Sequence, residues 1–134
     1  MPTIRNLEFI SREEAIRRQP EPKTIVISIN NVNDVPAPLR PGWMAVHVVK
    51  YNSNERPGPG SFTREMARDI VNFVTTHEER ATKVLIHCFA GESRSATVAL
   101  ALDEKYNLGL YGGQCAGFTH TLTLDFLFEI ILDV

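Results

Sequence analysis

A cysteine and an arginine stand six positions apart in His87-Cys88-Phe89-Ala90-Gly91-Glu92-Ser93-Arg94-Ser95. The stretch follows the apolar run Val84-Leu85-Ile86 and precedes the helix-like run Ala96-Thr97-Val98-Ala99-Leu100-Ala101-Leu102. A strand that breaks at small residues and turns into a helix aims several backbone N–H groups at one point. The helix dipole adds positive potential there, so the point attracts an anion. A thiol held in that position has its thiolate stabilised and is a nucleophile at neutral pH. Arg94 adds a planar fork that takes two oxygens of a phosphate at once. The chemistry implied is cysteine-dependent hydrolysis of a phosphate ester. The bland alternative for Cys88, a buried structural cysteine, does not account for Arg94 at this offset in a strand–loop–helix frame.

The elements that must position these residues follow from local pattern. Thr3 to Ile10 reads as a short first strand. Ser11-Arg12-Glu13-Glu14 has the spacing of a capping box, so a helix is expected from Ser11 to about Arg18, ended by Pro20 and Pro22. Thr24 to Ile29 is a nearly unbroken apolar strand, which implies burial on both faces. Asn30 to Gly42 is a proline-bearing loop that stiffens the site's surroundings, and Trp43 to Val49 reads as another strand. A turn-rich segment follows, Asn52 to Gly60. The next helix is expected over Thr63 to His77, burying Met66, Ile70, Phe73 and Val74. Lys83 to His87 is the strand before the loop and Ser93 to Tyr106 the helix after it, with Asn107 and Gly109 suited to its end. Leu108 to Gly117 is irregular, and a last helix spans about Thr119 to Val134.

Strands alternating with helices predict an α/β fold: a central parallel sheet of about four or five strands with helices on both faces. Ligands of such sheets bind at the carboxyl ends of strands, where Cys88 falls. The chain's 134 residues suit a single domain over 1–134 with a real core. A net charge of −2 argues against a nucleic-acid or membrane-surface binder. No apolar run nears the roughly 20 residues that span a bilayer, and residues 1–6 have no signal-peptide character. Two cysteines fit a reducing compartment better than a disulfide framework, so a cytoplasmic location is expected. Cys115 is read as an unpaired thiol, the alternative being a protective disulfide with Cys88. His47, His77 and His120 lack metal-ligand spacing.

The form His87-Cys88-x-Ala90-Gly91-x-Ser93-Arg94-Ser95 resembles the signature loop of the protein tyrosine phosphatase superfamily, most closely its dual-specificity branch and small bacterial and phage relatives. The resemblance extends through Ile27-Ser28-Ile29, Pro38-Leu39-Arg40-Pro41-Gly42-Trp43 and Ala67 to Val74, covering roughly residues 24 to 106. It implies a single-domain cysteine-phosphatase fold and a phosphocysteine intermediate. Cys88 matches the nucleophile and Arg94 the clamp on the equatorial oxygens. The N–H groups of Phe89, Ala90, Gly91, Glu92, Ser93 and Arg94 match the phosphate cradle. Ser95 matches the hydroxyl that helps the thiolate leave, and His87 the residue that supports the loop. No metal or cofactor enters this chemistry. The implied partner is a phosphorylated protein or a small phosphomonoester.

The chain departs from the family at the general acid, an aspartate on the loop after the third strand. Positioned acids of this kind contribute about 10²–10⁴-fold. Here that loop reads Tyr51-Asn52-Ser53-Asn54-Glu55, and asparagine donates no proton in that role. Glu55 is its one carboxylate and the candidate acid; Asp34 is a more distant one. Glu92 is read as pointing to solvent, since facing inward it would weaken dianion binding; at the mouth it would pair with Arg40 or with a basic group on the substrate. Arg40 and Arg56 flank the expected mouth. The last helix is more apolar than one face can bury, which fits either a homodimer contact or deep packing.

Three functions follow from these residues. The first is a phosphatase for phosphotyrosine, with phosphoserine or phosphothreonine as slower substrates. The second is a pseudophosphatase, a phosphate-binding module that has lost its acid. The third, a rhodanese-like sulfurtransferase, fits the Ala90-Gly91-x-Ser93-Arg94-Ser95 pattern poorly. A low-molecular-weight phosphatase or arsenate reductase carries its loop near the N-terminus, unlike this chain.

Overall fold

The computed structural model describes residues 1–53, 57–91, 93–108 and 121–132. Its elements are β1 (Asn6–Ser11), α1 (Arg12–Arg17), β2 (Thr24–Asn30), β3 (Ala45–Lys50), α2 (Arg64–His77), β4 (Lys83–Cys88), α3 (Arg94–Tyr106) and α4 (Thr121–Leu132). The four strands form one parallel sheet in the order β1-β4-β2-β3. This is the α/β architecture the alternation demanded. The register places Ser11 beside Cys88 and Ser28 beside His87.

β2 is buried along its whole length, as its apolar run required. Its side chains alternate between two cores. Ile25, Ile27 and Ile29 face the larger one, with Ile70 and Val74 of α2, Val98 and Leu102 of α3 and Leu127 of α4. Val26 faces a smaller one, with Ile10, Leu85, Ala15 of α1 and the flanking Leu39 and Trp43. Among the described residues helices therefore cover both faces, but unequally: three on one, and a six-residue helix with the segment 37–43 on the other. Among the described residues no helix is long and apolar enough to cross a membrane.

Several boundaries shift for physical reasons. The first strand runs over Asn6–Ser11 rather than Thr3–Ile10, because Thr3 is drawn to the end of α2. Its N–H donates to Glu78 O at 2.7 Å and its hydroxyl to Ala81 O at 2.6 Å. The third strand starts at Ala45 rather than Trp43, whose indole packs into the smaller core. Ser11 caps α1 as expected, accepting from Glu14 N at 3.1 Å, whereas the Glu14 carboxylate meets Arg18. Thr63 caps α2. The buried stripe of α2 is Ala67, Ile70, Val71 and Val74, with Met66 and Phe73 half-buried at its edges. α3 ends at Asn107, in the left-handed region at φ 53°, where asparagine is tolerated.

α4 packs against both α2 and α3. Leu127 is buried, and Phe126, Phe128, Ile130 and Ile131 are partly buried against the larger core. Deep packing thus accounts for much of this helix's apolar excess. The ends expected at Thr119 and Val134 lie outside the described residues, as do Gly109 and Cys115.

Candidate active site

The loop between β4 and α3 is backed by the end of β1. Phe89 O accepts from Arg12 N at 3.1 Å, extending the β1–β4 contact past the strand end. Gly91 has φ +75°, and a Cβ there would lie 2.6 Å from both Ile10 C and Ser11 N. Backbone against backbone cannot yield, so glycine is required on both counts.

This geometry puts the Gly91 N–H 3.2 Å from Cys88 Sγ and the Ser95 hydroxyl 3.1 Å from it. The sulfur thus receives a backbone donor from the loop and a hydroxyl from the first turn of α3. Cys88 is 2% exposed and lies at the base of a cavity of about 330 Å³, lined also by Asn31, Ser53, Phe89, Ala90, Ser93 and Arg94.

Arg94 is the cation of that lining. Its Nη1 donates to Asn31 Oδ1 at 2.9 Å and to Tyr51 O at 2.6 Å, and its guanidinium carbon lies 5.9 Å from the Tyr51 ring centroid. Both acceptors are neutral and both use one nitrogen. Nη2 and Nε have no partner among the described residues; these are nitrogens with which a guanidinium fork takes an oxyanion. Asn31 is itself oriented: its Nδ2 donates to Asp34 Oδ2 at 3.0 Å, which turns the amide oxygen toward Arg94. Asp34, the more distant candidate acid, is engaged in this way and does not line the cavity. Tyr51 is fully buried; burial pushes its phenol well above the usual range, opposed by an interaction with Thr123 of α4.

Beneath the loop, on the α1 face of the sheet, His87 is wholly buried. Its Nδ1 faces Cys88 O at 3.4 Å, which can only accept. The neutral ring therefore carries its proton there, and the Ser28 hydroxyl donates to Nε2 at 2.6 Å. Ser28 Oγ in turn accepts from Asn30 Nδ2 at 3.1 Å, and Asn30 Oδ1 accepts from Arg12 Nη1 at 3.1 Å and from Ala37 N at 3.0 Å. Burial lowers the His87 pKa to about 4, with the nearby Arg12 and Arg94 adding to it. The ring is neutral at pH 7.

Of the residues singled out in the sequence, the structure brings together Cys88, Phe89, Ala90, Gly91, Ser93, Arg94 and Ser95, with His87 behind them. Glu55 and Glu92 lie outside the described residues, as do Arg56 and His120. Arg40, expected at the mouth, lines a different cleft with Trp43, Val46 and Val48. Asn31, Tyr51, Ser28, Asn30 and Ser53 escaped sequence reasoning. Their signal was position: each lies at or just beyond the carboxyl end of β2 or β3, where ligands of parallel sheets bind. Among the described residues no cluster of His, Cys, Asp and Glu could hold a metal ion.

No protein-family model matches the chain, and no curated protein matches it in sequence. Solved structures do resemble it. A human tyrosine phosphatase-like serine/threonine/tyrosine-interacting protein aligns over 97% of this chain and 99% of its own, with a TM-score of 0.65 at 16% identity. Tk-PTP in the active form aligns over 93% of this chain and 92% of its own, with a TM-score of 0.51 at 18% identity. The fold is therefore that of the protein tyrosine phosphatases and phosphatase-like proteins.

Proposed function

We propose that the protein is a cysteine-dependent phosphatase that hydrolyses phosphotyrosine monoesters through a phosphocysteine intermediate. The observation that carries this reading is Cys88 Sγ at the base of a cavity, beside the Gly91 N–H and the Ser95 hydroxyl, with the Arg94 guanidinium lining the same cavity. The thiolate attacks phosphorus, the P–O bond to the aryl oxygen breaks, and that oxygen takes a proton. Water then attacks the phosphocysteine, the S–P bond breaks, and Ser95 stabilises the departing sulfur. Throughout, Arg94 and the loop N–H groups hold the equatorial oxygens, whose charge grows in the transition state. Glu55 is the group assigned to protonate the leaving oxygen. Purified protein should release phosphate from 4-nitrophenyl phosphate, and Cys88→Ser should abolish this with the fold intact by circular dichroism. Equal rates in the two proteins would remove the reading. Phosphoserine and phosphothreonine, with poorer leaving groups, should react more slowly.

A second reading, a phosphate-binding pseudophosphatase, draws on the loop Tyr51-Asn52-Ser53-Asn54-Glu55, which carries no aspartate where the family has its acid. Glu55→Gln separates the two. An enzyme using Glu55 loses turnover by about 10²-fold or more, with the acid-dependent limb of its pH profile. A wild type that binds a phosphotyrosine peptide but never turns it over is the binding module.

A further inference from the structure

We propose that a second cavity, on the other side of Phe89 from the phosphate site, receives an apolar side chain flanking the phosphotyrosine of a peptide substrate. The proposal rests on the phosphate site described above for the position of the phosphotyrosine, and on separate residues for everything else. Phe89 has its carbonyl held by Arg12 N at 3.1 Å, yet its side chain is 60% exposed. The ring borders two cavities. One holds Cys88 and Arg94; the other, about 240 Å³, is formed with Ser11, Arg12, Glu13 and Ile16. With the phosphate against Arg94, the ring stands between the phosphotyrosine and the residues flanking it. Neighbouring residues are only about 3.8 Å apart along the chain, so a side chain within two positions reaches the far side.

The chemistry of that second cavity selects its occupant. The Ser11 hydroxyl is used by Glu14 N at 3.1 Å, and the Arg12 guanidinium by Asn30 Oδ1 at 3.1 Å and Val35 O at 3.2 Å. Both Arg12 bonds use Nη1 and end on neutral oxygens, so its charge remains, and Glu13 at the rim has Arg17 at 3.9 Å; the apolar walls are Phe89 and Ile16. An apolar side chain gains by covering Phe89 and Ile16. The surroundings agree: Val32 and Val35, 38% and 75% exposed, lie on the loop that carries Asn31 to Arg94. Among the described residues Arg94 is the one cation lining the phosphate cavity, which suits a single phosphate on a polypeptide rather than a multiply phosphorylated headgroup.

The test uses fluorescent phosphotyrosine peptides with an alanine background, in which each position from two before to two after the phosphotyrosine is Leu or Asp in turn. Binding to the full-length Cys88→Ser protein is read by anisotropy, and kcat/KM is read with the wild type. Leu at one of these positions should tighten binding by about tenfold over Ala, the scale of burying one such side chain, and Asp there should bring no such gain. Ile16→Glu should erase the Leu gain and Ile16→Ala should reduce it. Neither should change turnover of 4-nitrophenyl phosphate, which does not reach this cavity. Absence of a Leu gain at every position, or a gain that survives Ile16→Glu, overturns the proposal. Because binding is read without turnover, a wild type that hydrolyses nothing would sink the phosphatase reading and leave this preference measurable.

Discussion

Arg94 is held by two oxygens that carry no net charge, Asn31 Oδ1 and Tyr51 O, so its own charge is not neutralised by its supports. Asn31 in turn depends on Asp34. Replacing Asn31 by Ala should therefore lower kcat/KM for an aryl phosphate by about tenfold, the worth of one hydrogen bond to a charged group. Asp34→Ala should cost less. With Asn31 already replaced it should cost nothing further, a non-additivity that a double-mutant cycle reads directly. Additive losses would place Asp34 outside this chain of contacts. His87 makes a second prediction at this scale. Its pKa falls from 6.5 to about 4 on folding, chiefly through burial. Below pH 6.5 the unfolded chain takes up the proton and the folded one does not. Stability present above 6.5 is therefore lost as pH falls toward 4, by an amount on the order of 3 kcal/mol when complete. Urea midpoints measured near pH ~7.5 and pH ~4.5 should show that loss. His87→Gln, which cannot titrate, should flatten the difference.

At the scale of elements, the loop and β1 form one unit. The glycine in the loop was legible as a small residue in a strand-to-helix turn. That its neighbour would be the backbone of Ile10 and Ser11 was not, because β1 joins β4 from some 80 residues away. Gly91→Ala meets both the positive φ and this contact. It should destabilise the fold by about 1–3 kcal/mol, and it should cut turnover more steeply than stability, since the Gly91 N–H facing Cys88 Sγ moves with the loop. Chemical denaturation and steady-state kinetics on the same preparation check this; intact turnover would show that the loop tolerates the shift. The strand and helix assignments were largely readable, because periodicity reports which side of an element is buried. The ends of β1 and β3 were not. Thr3 and Trp43 found better partners elsewhere in the fold than in the ladder.

At the scale of the whole molecule, one ionic cluster ties the amino-terminal ends of the sheet together. Glu8 on β1 meets Arg18, and Lys83 on β4 meets Glu8 at 2.6 Å and Glu21 at 3.3 Å. The Arg18 hydrogen bond leads in lowering the Glu8 pKa from 4.5 to about 2, with burial opposing it. The stability this contributes is present above pH 4.5 and is lost as pH falls toward 2. Glu8→Gln should therefore weaken the fold at neutral pH and shrink the drop in that acid window, as followed by circular dichroism. The sequence by itself determined the strand–loop–helix frame, the cysteine–arginine spacing and the two-faced burial of β2, because each depends on residues adjacent in the chain or on a short period. Tertiary structure alone decided which groups complete the site. Asn31, Asp34, Tyr51, Ser28 and Asn30 reach Arg94 and His87 only because β2 lies beside both β3 and β4, and a pairing between distant strands leaves no mark on the local pattern of either.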